Sequence, residues 1–167
     1  MMISPVFFVF SLILSSSYAA MQDFCVADYA APQGPVGYTC KDPAKVTVDD
    51  FVFSGLRVAG NISRINKIGL SAAFAFNFPG LNGLGVALVR ADFGVGRVVP
   101  IHSHRDASEL IIFVEGRVVS GFIASNNKPY VKVLDKGDTM VFPQGLFHFL
   151  VNVGKTPALA CRLWRLH

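Results

Sequence analysis

A chain of 167 residues leaves room for one domain with a minor appendage. Only 16% of its side chains are charged, against a usual quarter, and 52% are hydrophobic. The net charge of +4 is spread along the sequence without aromatic residues alternating among the basic ones, which excludes a nucleic-acid groove. A weak attraction to anionic polysaccharide fits that charge, and solubility explains it equally well.

Val6–Leu14 is an apolar core of signal-peptide length, followed by small residues from Ser15 to Ala20. It is too short to span a bilayer and no second stretch of spanning length follows, so no membrane anchor is expected. A cut after Ala19 assigns 1–19 to a signal peptide and predicts a secreted, extracellular chain, with its cysteines in an oxidising compartment. Cys25 and Cys40 lie 15 residues apart among Pro32, Gly34, Pro35 and Gly37. A bridge between them would contribute about 3 kcal/mol by loop entropy. Cys161 is then left over. Asn61-Ile62-Ser63 is the single N-glycosylation sequon.

Residues 20–50 read as an extended, turn-rich N-terminal arm. From Phe51 onward short apolar runs alternate with Gly, Pro and Asn. The expected strands are 84–93, 98–104, 109–114, 118–124, 130–134, 139–142, 148–153 and 158–164. Many short strands with no long helical period predict an all-β sandwich or barrel over 51–160. The run 110–114 is apolar on both faces and should lie between a core and a second packed surface, such as a subunit contact. Lys136-Gly137-Asp138 reads as a glycine-containing hairpin turn.

Three of the four histidines fall in two short stretches. In the first, His102 and His104 stand two apart, so a strand would point both the same way. A short turn then returns Glu109 beside them. The second stretch, Gly137 to Asn152, brings His148 from another hairpin. Three imidazoles and a carboxylate without a thiolate suit Mn, Fe, Co, Ni or Zn, and an octahedral metal would keep two positions open. Softness and ligand count do not separate manganese from iron or zinc. Asn152 is the candidate for holding a ligand in place from behind.

The two stretches match the paired motifs of the cupin superfamily, and the wider sequence resembles the plant germin-like proteins, in particular the branch described as auxin-binding. The resemblance runs from Gln22–Asp28 through Phe78–Gly85 to Gly154–Ala160. It implies a single jelly-roll β-barrel, one Mn ion on His102, His104, Glu109 and His148, and a disulfide joining Cys25 to Cys40. It further implies an apoplastic, cell-wall location, glycosylation at Asn61, and a homo-hexamer built as a trimer of dimers.

Three departures qualify the resemblance. The oxalate-oxidising germins carry asparagines where this chain has Val89 and Val99. Valine donates no hydrogen bond to an anionic dicarboxylate, so oxalate oxidase activity is not expected. Arg105 replaces the proline usual after the second histidine. After Ala160 the family continues into further strand and C-terminal helices, whereas Cys161–His167 reads as an atypical tail. The chain is therefore expected to be C-terminally truncated, with an open sheet edge and doubtful hexamer formation. The expected function is that of a secreted manganese-binding protein which, if catalytic, dismutates superoxide. The alternatives are a non-enzymatic protein binding an auxin-like carboxylate through the metal, or a storage-type cupin.

Overall fold

Alternation of buried and exposed side chains, the signature of a strand with one face on a core, runs through residues 107–114 and 147–152. The computed structural model describes residues 23–35, 37–62 and 67–166; the signal peptide expected over 1–19 lies outside them. Nine strands are present among the described residues: β1 Ile68–Ala73, β2 Val86–Phe93, β3 Val98–His102, β4 Ala107–Glu115, β5 Val118–Ile123, β6 Pro129–Leu134, β7 Thr139–Phe142, β8 Phe147–Asn152 and β9 Ala158–Leu166. They form two antiparallel sheets, ordered β1-β2-β9-β4-β7 and β3-β8-β5-β6. The only helical pieces described are short 3₁₀ turns, and no helix is long and apolar enough to cross a membrane.

The core lies between the inner faces of these sheets. One row crosses the larger sheet as Ala91 on β2, Ala160 on β9 and Phe113 on β4. The two alanines leave the volume that Phe93 and Phe113 fill, packed with Ile111, Phe142 and Leu150. Full burial of each large side chain contributes about 1.5–3 kcal/mol. Gly116 makes the β4–β5 turn at φ +88°, where a Cβ would meet that of Ala158 at 2.5 Å. The outer face of the larger sheet exposes Leu88, Leu163, Leu110 and Val141 in one register row. Residues 110–114 thus do alternate between a core and a second apolar surface.

The eight expected strands are all present, with ends shifted by a residue or two, and two differences bear on the site. The strand expected over 98–104 stops at His102, and its pairing with β8 shifts register between Val99 and His102. The segment expected as a foreign tail, 161–167, continues β9 to Leu166. β9 lies inside the larger sheet, bonded to β2 on one side and β4 on the other. β9 is thus not an edge strand; among the described residues the outer strands of that sheet are β1 and β7. β1 itself was not expected.

The N-terminal arm is tied down at several points. Cys25 and Cys40 form the disulfide, and Val26 is buried. Ala27 N–H donates to Pro79 O at 3.0 Å, while the Asn82 amide donates to Tyr38 O at 2.9 Å. The Lys136–Asp138 segment is a turn with Gly137 at φ +92°, docked on β4 by Gly137 N–H to Phe113 O at 2.8 Å.

Candidate metal centre

Inward-facing positions on four strands converge near one end of the barrel. On β4, the alternation that buries Ala107, Ile111 and Phe113 also buries Glu109, which is 1% exposed. On β8 the same logic buries His148 at 2%. His102, at the end of β3, is the direct register partner of His148. His104 lies beyond the strand, so it reaches the site by a different route from simple alternation. Its carbonyl accepts from Gly145 N–H at 3.0 Å, and the Arg105 carbonyl accepts from the Gln144 amide at 2.8 Å. These two bonds clamp the 104–105 segment to the turn that opens β8.

The ligand atoms of His102, His104 and His148 all lie within 4.8 Å of one another. The orientation of two rings is fixed from behind. His102 Nδ1 sits 2.9 Å from Pro100 O, and His148 Nδ1 sits 3.0 Å from Leu146 O. A carbonyl oxygen only accepts, so each Nδ1 carries the proton and each Nε2 keeps a free lone pair. Phe142 stacks on the His148 ring at 4.4 Å with planes 9° apart. Glu109 Oε2 lies 3.0 Å from His104 Nε2 and 3.9 Å from His148 Nε2.

His104 Nε2, His148 Nε2 and Glu109 Oε1 are all buried without a hydrogen-bond partner. Orphaned polar atoms are costly in a barrel interior, and the two imidazole nitrogens, both facing Glu109 Oε2, fit a cation beside them. Burial holds the His104 and His148 imidazoles below their ordinary pKa of 6.5, against the pull of nearby Glu109. The neutral form so favoured is the form that binds metal. Three imidazoles beside a carboxylate suit Mn, Fe, Co, Ni or Zn.

Two residues at this site come from β9. Trp164 Nε1–H donates to Glu109 Oε2 at 2.7 Å, and the indole lies 4.7 Å from the His104 ring. Arg162, 4% exposed, places Nη1 at 3.8 Å from Glu109 Oε1 and its guanidinium 5.7 Å from the Trp164 ring. Burial lowers the Arg162 pKa more than Glu109 raises it. A signal for both residues was present in the sequence: a strand over 158–164 puts Ala158, Ala160, Arg162 and Trp164 on one face. Asn152 has a different role from the one expected. Its amide donates to the carbonyls of Phe93, Gly94 and Thr156 and its oxygen accepts from Gly154 N–H, so its hydrogen bonds tie loops together and none goes to a proposed ligand.

A cavity of about 340 Å³ adjoins the cluster. Its polar wall is His102, His104, Arg162 and Trp164; its apolar wall is Ile68, Leu70, Val99 and Pro100. Val89 is buried opposite Arg162 in the β2–β9 register.

The cupin family pattern matches residues 54–163. A germin-like protein from Morus alba is 58% identical over 158 residues, 95% of this chain and 76% of its own length. The chain belongs to the germin-like proteins of the cupin family. Auxin-binding protein ABP19a of Prunus persica is 61% identical over 159 residues, again 95% of this germin-like chain and 76% of the relative. A solved structure of oxalate oxidase superposes with a TM-score of 0.81 at 37% identity, covering 87% of this chain and 75% of that one. The germin-like fold here is therefore the barrel that carries a known oxidase, with a three-histidine group able to hold a metal.

Proposed function

We propose that this germin-like chain is a secreted, manganese-binding protein of the plant apoplast and cell wall that dismutates superoxide. The observation that carries the reading is the three-histidine group His102, His104 and His148, with Glu109 Oε2 3.0 Å from His104 Nε2 and the His104 and His148 Nε2 atoms buried without a hydrogen-bond partner. A redox-active metal held there would supply the one-electron exchange that turns two superoxide ions and two protons into dioxygen and hydrogen peroxide. The chain's own residues do the rest. The backbone bonds at Pro100 and Leu146 fix two imidazoles in the ligating tautomer. Trp164 anchors the carboxylate. Arg162 offers a positive charge beside the cavity, which favours approach of an anion.

Secretion is supported by the signal-like N-terminal sequence and by the Cys25–Cys40 disulfide. Asn61, exposed on the surface, is the proposed glycosylation site. The apolar row Leu88, Leu163, Leu110 and Val141 is the proposed surface for homo-oligomer packing. The test is elemental analysis of the purified secreted chain for Mn, Fe and Zn, with superoxide dismutase activity assayed on the same sample. About one Mn per chain with activity lost on chelation and restored by Mn supports the reading; full metal occupancy without activity removes the enzyme claim.

A second reading is favoured by the cavity itself. Its apolar wall suits the body of an organic acid, and the chain is similar to proteins named as auxin-binding. In that reading the protein binds a small carboxylate without turnover. Oxalate oxidation is not proposed, because Val89 and Val99 offer no hydrogen-bond donors.

A further inference from the structure

Arg162 is a buried guanidinium with five N–H donors and too few acceptors. It is 4% exposed, its Nε has no partner, and its nearest carboxylate oxygen is 3.8 Å away. Charge-assisted hydrogen bonds close to about 2.7–2.9 Å, so Glu109 does not satisfy it. Glu109 also faces His104 and His148 and takes the Trp164 indole N–H. A carboxylate turned toward a cation among those imidazoles has little charge left for Arg162. A buried charge so placed is expensive unless something else pairs with it. The remaining open direction is the cavity, whose wall Arg162 shares with His102, His104 and Trp164.

We propose that Arg162 is the anchor for the carboxylate of a small organic acid, whose apolar part rests on Ile68, Leu70 and Val99. The inference rests on the reading of this cavity as a ligand site and names the residue that selects for charge there. A planar guanidinium grips a carboxylate with two parallel bonds. The apolar residues of the cavity wall offer no donor, so that part of the site suits the hydrophobic body of the acid. Strand register places Arg162 directly opposite Val89, so a charged donor group stands beside a position whose own side chain supplies none.

Trp164 is the single tryptophan of the chain and lines the same cavity, so its emission reports occupancy directly. Zinc-loaded protein, silent in redox chemistry, would be titrated with phenylacetate and with neutral phenylacetamide. The expected result is saturable change in Trp164 emission with the acid and at least tenfold weaker binding of the amide. Arg162→Met should weaken the acid by tenfold or more while leaving the amide unchanged, and Arg162→Lys should recover part of the loss. A wild-type readout stands beside the variants: the ¹⁵N–H resonance of Arg162 Nε should shift with the acid and not with the amide. Equal acid binding in wild type and Arg162→Met, or an unmoved Nε resonance at saturation, overturns the anchor while leaving the cavity a ligand site. No saturable binding of the acid to wild type overturns both. Zinc content, measured separately, keeps a failure of the metal centre distinct from either.

Discussion

Trp164 on β9 and Glu109 on β4 are register partners across a strand pair, and the indole N–H meets the carboxylate at 2.7 Å. The bond holds one carboxylate oxygen beside His104 and His148, so a residue with no metal-binding atom sets the geometry of one that has it. Trp164→Phe keeps the aromatic bulk and removes the donor. It should weaken metal binding by about 10–100-fold, as measured by competition with a chelator of known affinity. Unchanged affinity would show that packing alone positions Glu109.

Removing a donor from the centre should be more severe. Glu109→Gln preserves shape and deletes the one negative charge among the proposed ligands, and His148→Ala deletes a ring buried against Phe142. Both should lower metal content from about one per chain to well below it. In the intact protein, free metal at about 100 times its Kd should add about 2.7 kcal/mol to stability. That increment, read from urea midpoints with and without chelator, should vanish in both variants.

Acid should empty the site. Burial holds the His104 and His148 pKa values below 6.5 in the folded chain. As pH falls below about 6.5 the unfolded chain takes up protons that the folded barrel resists, and the unfolded state then binds more of them. The contribution of these two groups to the stability of the metal-free protein is therefore fully present above that pH and is lost as pH drops through the lowered folded values. Protons compete with the cation for the same nitrogens, so occupancy should fall over the same window. Paired urea and metal-content titrations from pH 8 to 5 check both; a flat profile would contradict them.

Asn152→Ala should separate stability from the centre. The side chain makes four hydrogen bonds to the backbone at Phe93, Gly94, Gly154 and Thr156. Its loss strands buried groups at a cost of about 1–3 kcal/mol. Metal per chain in the folded fraction should stay at the wild-type value.

The disulfide is predicted to act only on the arm. Replacing Cys25 and Cys40 together by Ser should cost about 3 kcal/mol in urea unfolding. Metal affinity should not change, since the bridge fastens the segment around Val26 and Asn82 and touches none of the four donors.

The histidines were legible in the sequence because imidazoles are scarce and three of four fall in two short stretches punctuated by glycine. The strands were legible where Val, Ile and Phe alternate between Gly and Pro. β1 escaped notice because Ile68-Gly-Leu-Ser-Ala-Ala has little strand character of its own and is a strand through its pairing with β2. The bonds that Asn152 makes to Phe93, Gly94 and Thr156 are not legible in the sequence, because those carbonyls are brought to it by loops and not by a pattern on its own strand. Arg162 and Trp164 fell outside the family's motif, and strand alternation alone could have turned both toward Glu109.

β9 sits between two strands that precede it in the chain by long stretches. Its arrival must therefore close large loops, a slow event compared with zipping the local β5–β6 hairpin. Until then β2 and β4 each present a bare inner edge, and Glu109 has no indole to orient it. Bringing Trp164 and Arg162 to Glu109 is thus coupled to the step that seats β9, and a chain stalled before that step would be sticky and would leave the histidine group without its neighbouring indole.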